Sequence, residues 1–215
     1  MDKQGVLKAL KELREKSSPR QFKQSVDVII NLKDLDTKKP EGQIDYYIAL
    51  PKPTGKVAKV CALVGAELFE QSKVHCDKTI QDEEFQRYDK KAIKKLAEEY
   101  THFIAQASLM TQIAKYFGRT LGPRGKMPNP KAGAVIPGNA NMQQVSARLK
   151  LTTRINNKQQ LNIKIMVGKE DMNDEDLTEN IMAVYTNTAS KLVQEYNNIK
   201  SVLLKFTMSK PVKVQ

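Results

Sequence analysis

Eleven residues near the middle of the chain, Leu121-Gly-Pro-Arg-Gly-Lys-Met-Pro-Asn-Pro-Lys131, combine the parts of a phosphate-gripping loop. Gly122 and Gly125 allow close backbone approach, while Pro123, Pro128 and Pro130 stiffen the path. Arg124, Lys126 and Lys131 supply positive charge, and cations held in place lose less entropy on meeting a polyanion. The surroundings point the same way. Between Tyr100 and Lys169 there is no aspartate or glutamate, yet eleven lysines and arginines fall in those seventy residues. The remaining chain is nearly balanced, so the net charge of +12 arises almost wholly in this block. Such a surface suits a nucleic acid. On the residues alone, a rigid connector with incidental, solvated charges stays open beside it.

No other constellation assembles chemistry. His75 and His102 are the two histidines, and neither stands at metal-ligand spacing from a second good ligand set. Gly125-Lys126-Met127 lacks the Ser or Thr of a phosphate-binding P-loop, and Gly65 is not followed by G-x-G-x-x-G. The acidic run from Glu170 to Asp176 lacks a calcium loop's glycine and reads as the start of a helix. No catalytic residue, metal or cofactor is expected. Two cysteines, Cys61 and Cys76, exclude a disulfide framework and fit a reducing compartment. No apolar stretch approaches the roughly 18 residues of a membrane span, and Met1-Asp2-Lys3-Gln4 lacks a signal core. A cytoplasmic protein without a membrane partner is expected.

The elements that must position these residues follow from periodicity. Val6, Leu7, Leu10 and Leu13 predict a helix over Lys3–Glu15, ended by Ser17-Ser18-Pro19. Alternation from Ser25 to Leu32 predicts a half-buried strand, and Ile44–Leu50 a second one after a polar loop containing Pro40 and Gly42. Pro51 to Gly55 reads as a hinge. Val57–Val64 is an apolar run suited to a strand buried on both faces, followed by a short helix from Gly65. A helix over Lys90–Tyr100, a strand over His102–Ala105 and a helix capped by Ser108 and running through Phe117 continue the alternation. Beyond it, Leu151–Ile155 and Gln160–Val167 read as a hairpin turning at Asn156-Asn157. A helix from Asn173 to about Tyr196 and a strand over Val202–Phe206 follow. The fold class is therefore α/β and α+β in two domains. Residues 1–57 plus 149–215 form a discontinuous α+β domain holding both ends of the sequence, and 58–148 form an inserted three-layer, Rossmann-like α/β domain.

The central undecapeptide resembles the signature of the large-subunit ribosomal protein L-one family, and the likeness covers essentially the whole chain. It includes Phe22-Lys-Gln-Ser-Val-Asp27, Asn31-Leu-Lys-Asp-Leu35, Val167-Gly168, Glu170-Asp-Met172, Asn198-Ile-Lys-Ser-Val202 and Thr207-Met208. Met127-Pro-Asn-Pro130 looks archaeal or bacterial, and the short N-terminus with Lys210-Pro211 looks archaeal.

The resemblance implies a structural protein of the large ribosomal subunit that binds 23S rRNA through one strand-rich face. It further implies a mobile stalk near the exit site, contact with outgoing E-site tRNA, repression of its own mRNA, and a monomeric state when free. Carried over by match, the RNA face is Phe22, Lys23, Ser25, Ser201, Thr207, Met208 and Ser209. Arg124, Lys126 and Lys131 would make secondary RNA contacts. The family's usual threonine is Ser25 here, which keeps the hydroxyl. Its usual glycine is Ser209, which puts close backbone approach in question. Hydroxyls and amides on a sheet face suit the 2′-hydroxyls and phosphates of structured RNA. From sequence alone Phe22 divides evenly between packing on RNA and closing the strand end. The competing function is a nucleotide-dependent, RNA-acting enzyme built on the inserted domain, which mononucleotide binding would reveal.

Overall fold

The structure is a computed structural model and describes residues 1–39, 42–158 and 160–214. The Pro40 of the expected loop lies outside them. In chain order, the first elements are α1 (Lys3–Glu15), β1 (Ser25–Leu32), β2 (Asp45–Ala49), β3 (Val60–Val64) and α2 (Ala66–His75). Next come β4 (Lys78–Gln81), α3 (Lys90–Glu99), β5 (His102–Gln106), α4 (Met110–Leu121) and β6 (Val135–Ile136). The last are α5 (Met142–Leu151), β7 (Thr152–Asn156), β8 (Asn162–Lys169), α6 (Asp174–Ala189), β9 (Ile199–Phe206) and β10 (Val212–Lys213). The chain divides into two compact units, Met1–Lys56 with Thr153–Gln215, and Val57–Thr152.

In the first unit β1 alternates strictly, burying Val26, Val28, Ile30 and Leu32 and leaving Ser25, Asp27, Ile29 and Asn31 half-buried on the opposite face. That period makes one face apolar enough to need a cover. The apolar stripes of α1 and α6 share the resulting core, through Leu10, Leu13, Leu177 and Ile181 among others. The sheet runs β10-β9-β1-β8, with β1 antiparallel to both neighbours. Its open face carries cross-strand rows. Asn31 lies opposite Ser201 and Asn162, Ile29 opposite Leu203 and Lys164, and Asp27 opposite Lys205.

The second unit holds a parallel sheet in the order β4-β3-β5-β6. Every residue of β3 is buried, as expected of a central parallel strand. Cys61, Leu63, Phe103 and Ala105 share a core with Ile93 and Leu96 of α3 and Ile113 and Phe117 of α4. Phe85 meets Phe117 edge to face at 5.3 Å between ring centroids.

Several sequence expectations are corrected. No hairpin joins the two strands after α5: β7 pairs with β2, while β8 pairs with β1. A bidentate pair from Arg154 to Asp45 at 2.7 Å, and the buried Asn157 side chain bonded to Ile44 N–H and the Gly42 carbonyl, hold β7 there. Leu151 closes α5 instead of opening a strand. Ser108 caps nothing: it lies in a short 3-10 turn, and α4 starts at Met110 and reaches Leu121, into the central motif. The helix from Asn173 stops at Ala189 rather than Tyr196, because the Asn198 side chain accepts from Gln194 N–H and organises a turn there. Val57 is exposed and precedes a strand that begins only at Val60. Elements β4, β6, α5 and β10 have no counterpart in the sequence reading. Lys52, inside the expected hinge, is tied to α6 by two backbone bonds with the buried Asn180 side chain.

Candidate nucleic-acid interface

The end of β9 and the lead into β1 meet, because antiparallel pairing sets Val26 opposite Phe206. Just beyond the ladder, Thr207 Oγ1 accepts from Ser25 N–H at 3.1 Å. Met208 N–H donates to Gln24 Oε1 at 3.0 Å. Gln24 is 2% exposed, and its own carbonyl accepts from Glu170 N–H at 2.9 Å. One buried residue, through its side-chain amide and its main-chain carbonyl, thus ties together the start of β1, the turn after β9 and the segment after β8. Arg14 fixes that last segment: its guanidinium donates to Asp174 Oδ1 and to the carbonyls of Glu170 and Met172. Four donors in a rigid fork suit such a multipoint clamp.

Two large apolar side chains stand out at this end, Phe22 at 50% and Met208 at 60% exposure. Phe22 therefore does not close the core. Both stay exposed at the end of the sheet that also carries the Thr207 hydroxyl, so apolar and polar contacts are offered together. Lys23 projects beside them with its Nζ 2.6 Å from Asp171 Oδ2. That hydrogen bond, with the charge of Asp171, holds the Lys23 ammonium above its ordinary pKa and the Asp171 carboxyl below the usual range. Both groups are exposed, so the pair is weak and exchangeable.

Ser209 adopts no left-handed backbone angle, so the family's glycine is not required by the backbone path here. Its Oγ accepts from Phe206 N–H at 2.8 Å and donates to the Lys210 carbonyl at 3.0 Å. The hydroxyl closes the turn that presents Thr207 and Met208. Ser201 lies six residues earlier on β9, about 20 Å along the strand. Its Oγ accepts from Asn31 Nδ2 at 2.9 Å, so it belongs to the far end of the same sheet face. Between them Asp27 faces Lys205. Burial pushes the Asp27 carboxyl up, and Lys205 pulls the other way.

The central loop is built differently. Lys126 Nζ donates to the carbonyls of Ala97 and Tyr100 at 2.6 and 2.8 Å. Arg124 donates to Glu98 Oε1 at 2.9 Å and to the Lys94 carbonyl. Both cations thus sit at the C-terminal end of α3, where unpaired carbonyls and the helix dipole favour positive charge. Gly125 has φ +65, a left-handed turn that favours glycine, and Pro128 is buried. Lys131 is exposed, and its side chain makes no hydrogen bond or ion pair among the described residues.

Sequence reasoning missed Gln24, Arg14 and Asn31, whose side-chain partners lie more than 150 residues away. A polar residue followed by the strict alternation of β1 was the available signal for Gln24. Among the described residues no group of three His, Cys, Asp or Glu could hold a metal ion, and no helix is long and apolar enough to cross a membrane.

The molecule is thus a mixed α/β protein whose strand end and open sheet face bring these residues together. A model of the Ribosomal protein L1p/L10e family matches residues 13–210. A protein of Methanothermococcus thermolithotrophicus named large ribosomal subunit protein uL1 is 38% identical over 217 residues, covering 100% of both chains. Its namesakes from Methanobrevibacter smithii and Nanoarchaeum equitans are 42% and 40% identical, covering 98% and 95% of this chain and 99% and 97% of theirs. This chain belongs to the ribosomal protein L1p/L10e family, in its archaeal form, a family of structural proteins and not of enzymes.

Proposed function

We propose that the chain is a structural protein of the large ribosomal subunit, acting in the cytoplasm, that anchors on 23S rRNA through the strand end and open sheet face. The contact residues are Phe22, Lys23, Ser25, Thr207, Met208 and Ser209, with Ser201 at the far end of the face. The observation that carries this reading is the exposure of Phe22 and Met208 at a strand end where Gln24 holds Met208 N–H and Ser25 N–H holds the Thr207 hydroxyl. Apolar side chains can pack on sugars or bases, and short hydroxyls can meet 2′-hydroxyls, without long side chains to order. Residues 1–57 with 149–215 would be the anchoring domain, and 58–148 the part that extends as a mobile stalk near the exit site. There Lys131 is the cation of the central loop best placed to meet E-site tRNA, since Arg124 and Lys126 hold α3. Repression of its own mRNA would use the anchoring face on a similar RNA fold, by the monomeric protein.

The competing enzyme reading loses support at the sheet's own switch point. In open parallel sheets a phosphate is received beyond the strand ends at a helix N-terminus. Here Gly65 N–H, entering α2, donates to Gln106 Oε1, and Gln106 Nε2 donates to Glu67. A side-chain amide and a carboxylate fill that position. The test is binding of the full chain to 23S rRNA against bulk RNA competitor, with ATP and GTP titrated separately. Strong preference for one rRNA segment, lost in a Phe22→Ala, Met208→Ala double variant, supports the anchor. Mononucleotide binding with no rRNA preference sinks it.

A further inference from the structure

Beside Met208 a cavity of about 560 Å³ opens between the end of α1 and the segment running into β10. Gln24 lines it although the residue is almost wholly buried. Its Oε1 is taken by Met208 N–H, which fixes the orientation of the amide, and its Nε2 has no partner among the described residues. Residue burial holds the Gln24 side chain in place while its unpaired Nε2 stays open to the groove, where it can donate to a seated ligand. A second cavity of about 290 Å³ shares Ser17, Ser18, Arg20 and Gln24. The larger lining carries Lys16, Arg20, Lys210 and Lys213 against a single carboxylate, Glu12, which is paired with Lys16. Arg20, Lys210 and Lys213 are exposed and form no ion pair among the described residues.

We infer that this groove seats one unpaired nucleotide of the bound RNA. The volume lies within the range of small-ligand sites. Arg20 and Lys210 meet its phosphate, where positive charge displaces counterions. Met208 supplies an adaptable apolar wall for the base. Gln24 Nε2 contributes a positioned donor for an acceptor atom on the edge of the base. The site rests on the anchoring reading above, and extends it from the strand end to α1.

The test uses the full chain and its 23S rRNA segment, with unpaired nucleotides replaced one at a time by abasic nucleotides. The Arg20→Ala, Lys210→Ala double variant should bind about tenfold more weakly at unchanged melting temperature, from the loss of phosphate contacts. One abasic position should weaken the wild-type complex by a similar factor and leave a Ser18→Trp variant, whose groove is filled, unaffected. Gln24→Glu keeps the acceptor for Met208 N–H and removes the donor, so it should discriminate against the same nucleotide. If Gln24→Glu fails to fold, the Ser18→Trp cycle decides alone. Should every abasic effect be equal in wild type and Ser18→Trp, the groove is empty in the complex. If Thr207→Ala weakens binding while the groove variants match wild type, the anchor stands and this site falls. If none of them weakens binding, both fall.

Discussion

The central glycine-proline loop and the end of β9 are both built for exposure by sequence, yet the structure treats their polar groups in opposite ways. In the loop, two of three cations turn back onto α3, where Lys126 alone meets two main-chain carbonyls. At the strand end the backbone amides are satisfied from within, by Gln24, Thr207 and Ser209, and the apolar tips of Phe22 and Met208 are left outside. Charge density marks a surface, but it does not say which charges are available. A carbonyl cluster at a helix end is itself a binding site for a lysine.

The contrast is broken most directly at Lys126. Lys126→Ala should cost about 2 kcal/mol of stability, because two carbonyls lose a charged donor. For a chain of this size that lowers the melting temperature by roughly 4–8 °C in calorimetry. Affinity for 23S rRNA should stay within about threefold if the strand end is the primary anchor, as proposed. A stable variant that loses rRNA binding would place the anchor in the loop.

Thr207→Ala should show the converse. Binding should weaken by about 1–2 kcal/mol where a buried, paired hydroxyl is lost at the interface, with a smaller change in melting temperature. Destabilisation without loss of affinity would make the strand end structural. Ser209 sharpens the point. Family resemblance suggests that glycine there improves approach to RNA, whereas the bonds of Ser209 Oγ to the turn predict the reverse. Ser209→Gly should lower stability by about 1 kcal/mol through lost hydrogen bonds and added backbone freedom. Tighter rRNA binding by Ser209→Gly in a filter assay would show that steric access outweighs turn closure.

Two smaller effects concern carboxylates. Asp27 has a raised folded-state pKa from burial, so its charged form disfavours folding at pH values above that pKa. The penalty disappears as pH falls below the ordinary carboxylate value of 3.8, where both states are protonated. Asp27→Asn should therefore melt higher than wild type at pH 7, with the gain fading toward acid. A gain independent of pH would point to hydrogen bonding instead. Asp171→Asn frees Lys23 and should tighten rRNA binding by no more than about threefold, as expected for an exposed pair. It should also steepen the salt dependence, by less than the roughly 0.7–0.9 logarithmic units per phosphate of a full new contact. An unchanged slope would mean that Lys23 never leaves Asp171 for RNA.

Much was legible before any coordinates. The three-four spacing in α1, the strict alternation of β1 and the unbroken apolar run of β3 each state which face must be buried, because burial of apolar area dominates local choices. The family resemblance named the strand-end residues. It did not show that Gln24, lying among them, is the buried link. Boundaries failed where side chains act across distance. Asn198 stops α6 from continuing, and Asp45 draws Arg154 and its strand away from the expected hairpin.

By itself, then, the sequence determined the composition of each face: which helices and strands are amphipathic, where carboxylates are absent, and which motif belongs to which family. Those are properties of residue order within one or two turns or a single strand. Only the tertiary structure decided which polar groups remain available. Lys126 and Arg124 are engaged because α3 ends beside them, and Met208 is presented because Gln24, 184 positions earlier, accepts its amide proton. A hydrogen bond's partner is set by where the packed core brings two segments together, and no local pattern encodes that.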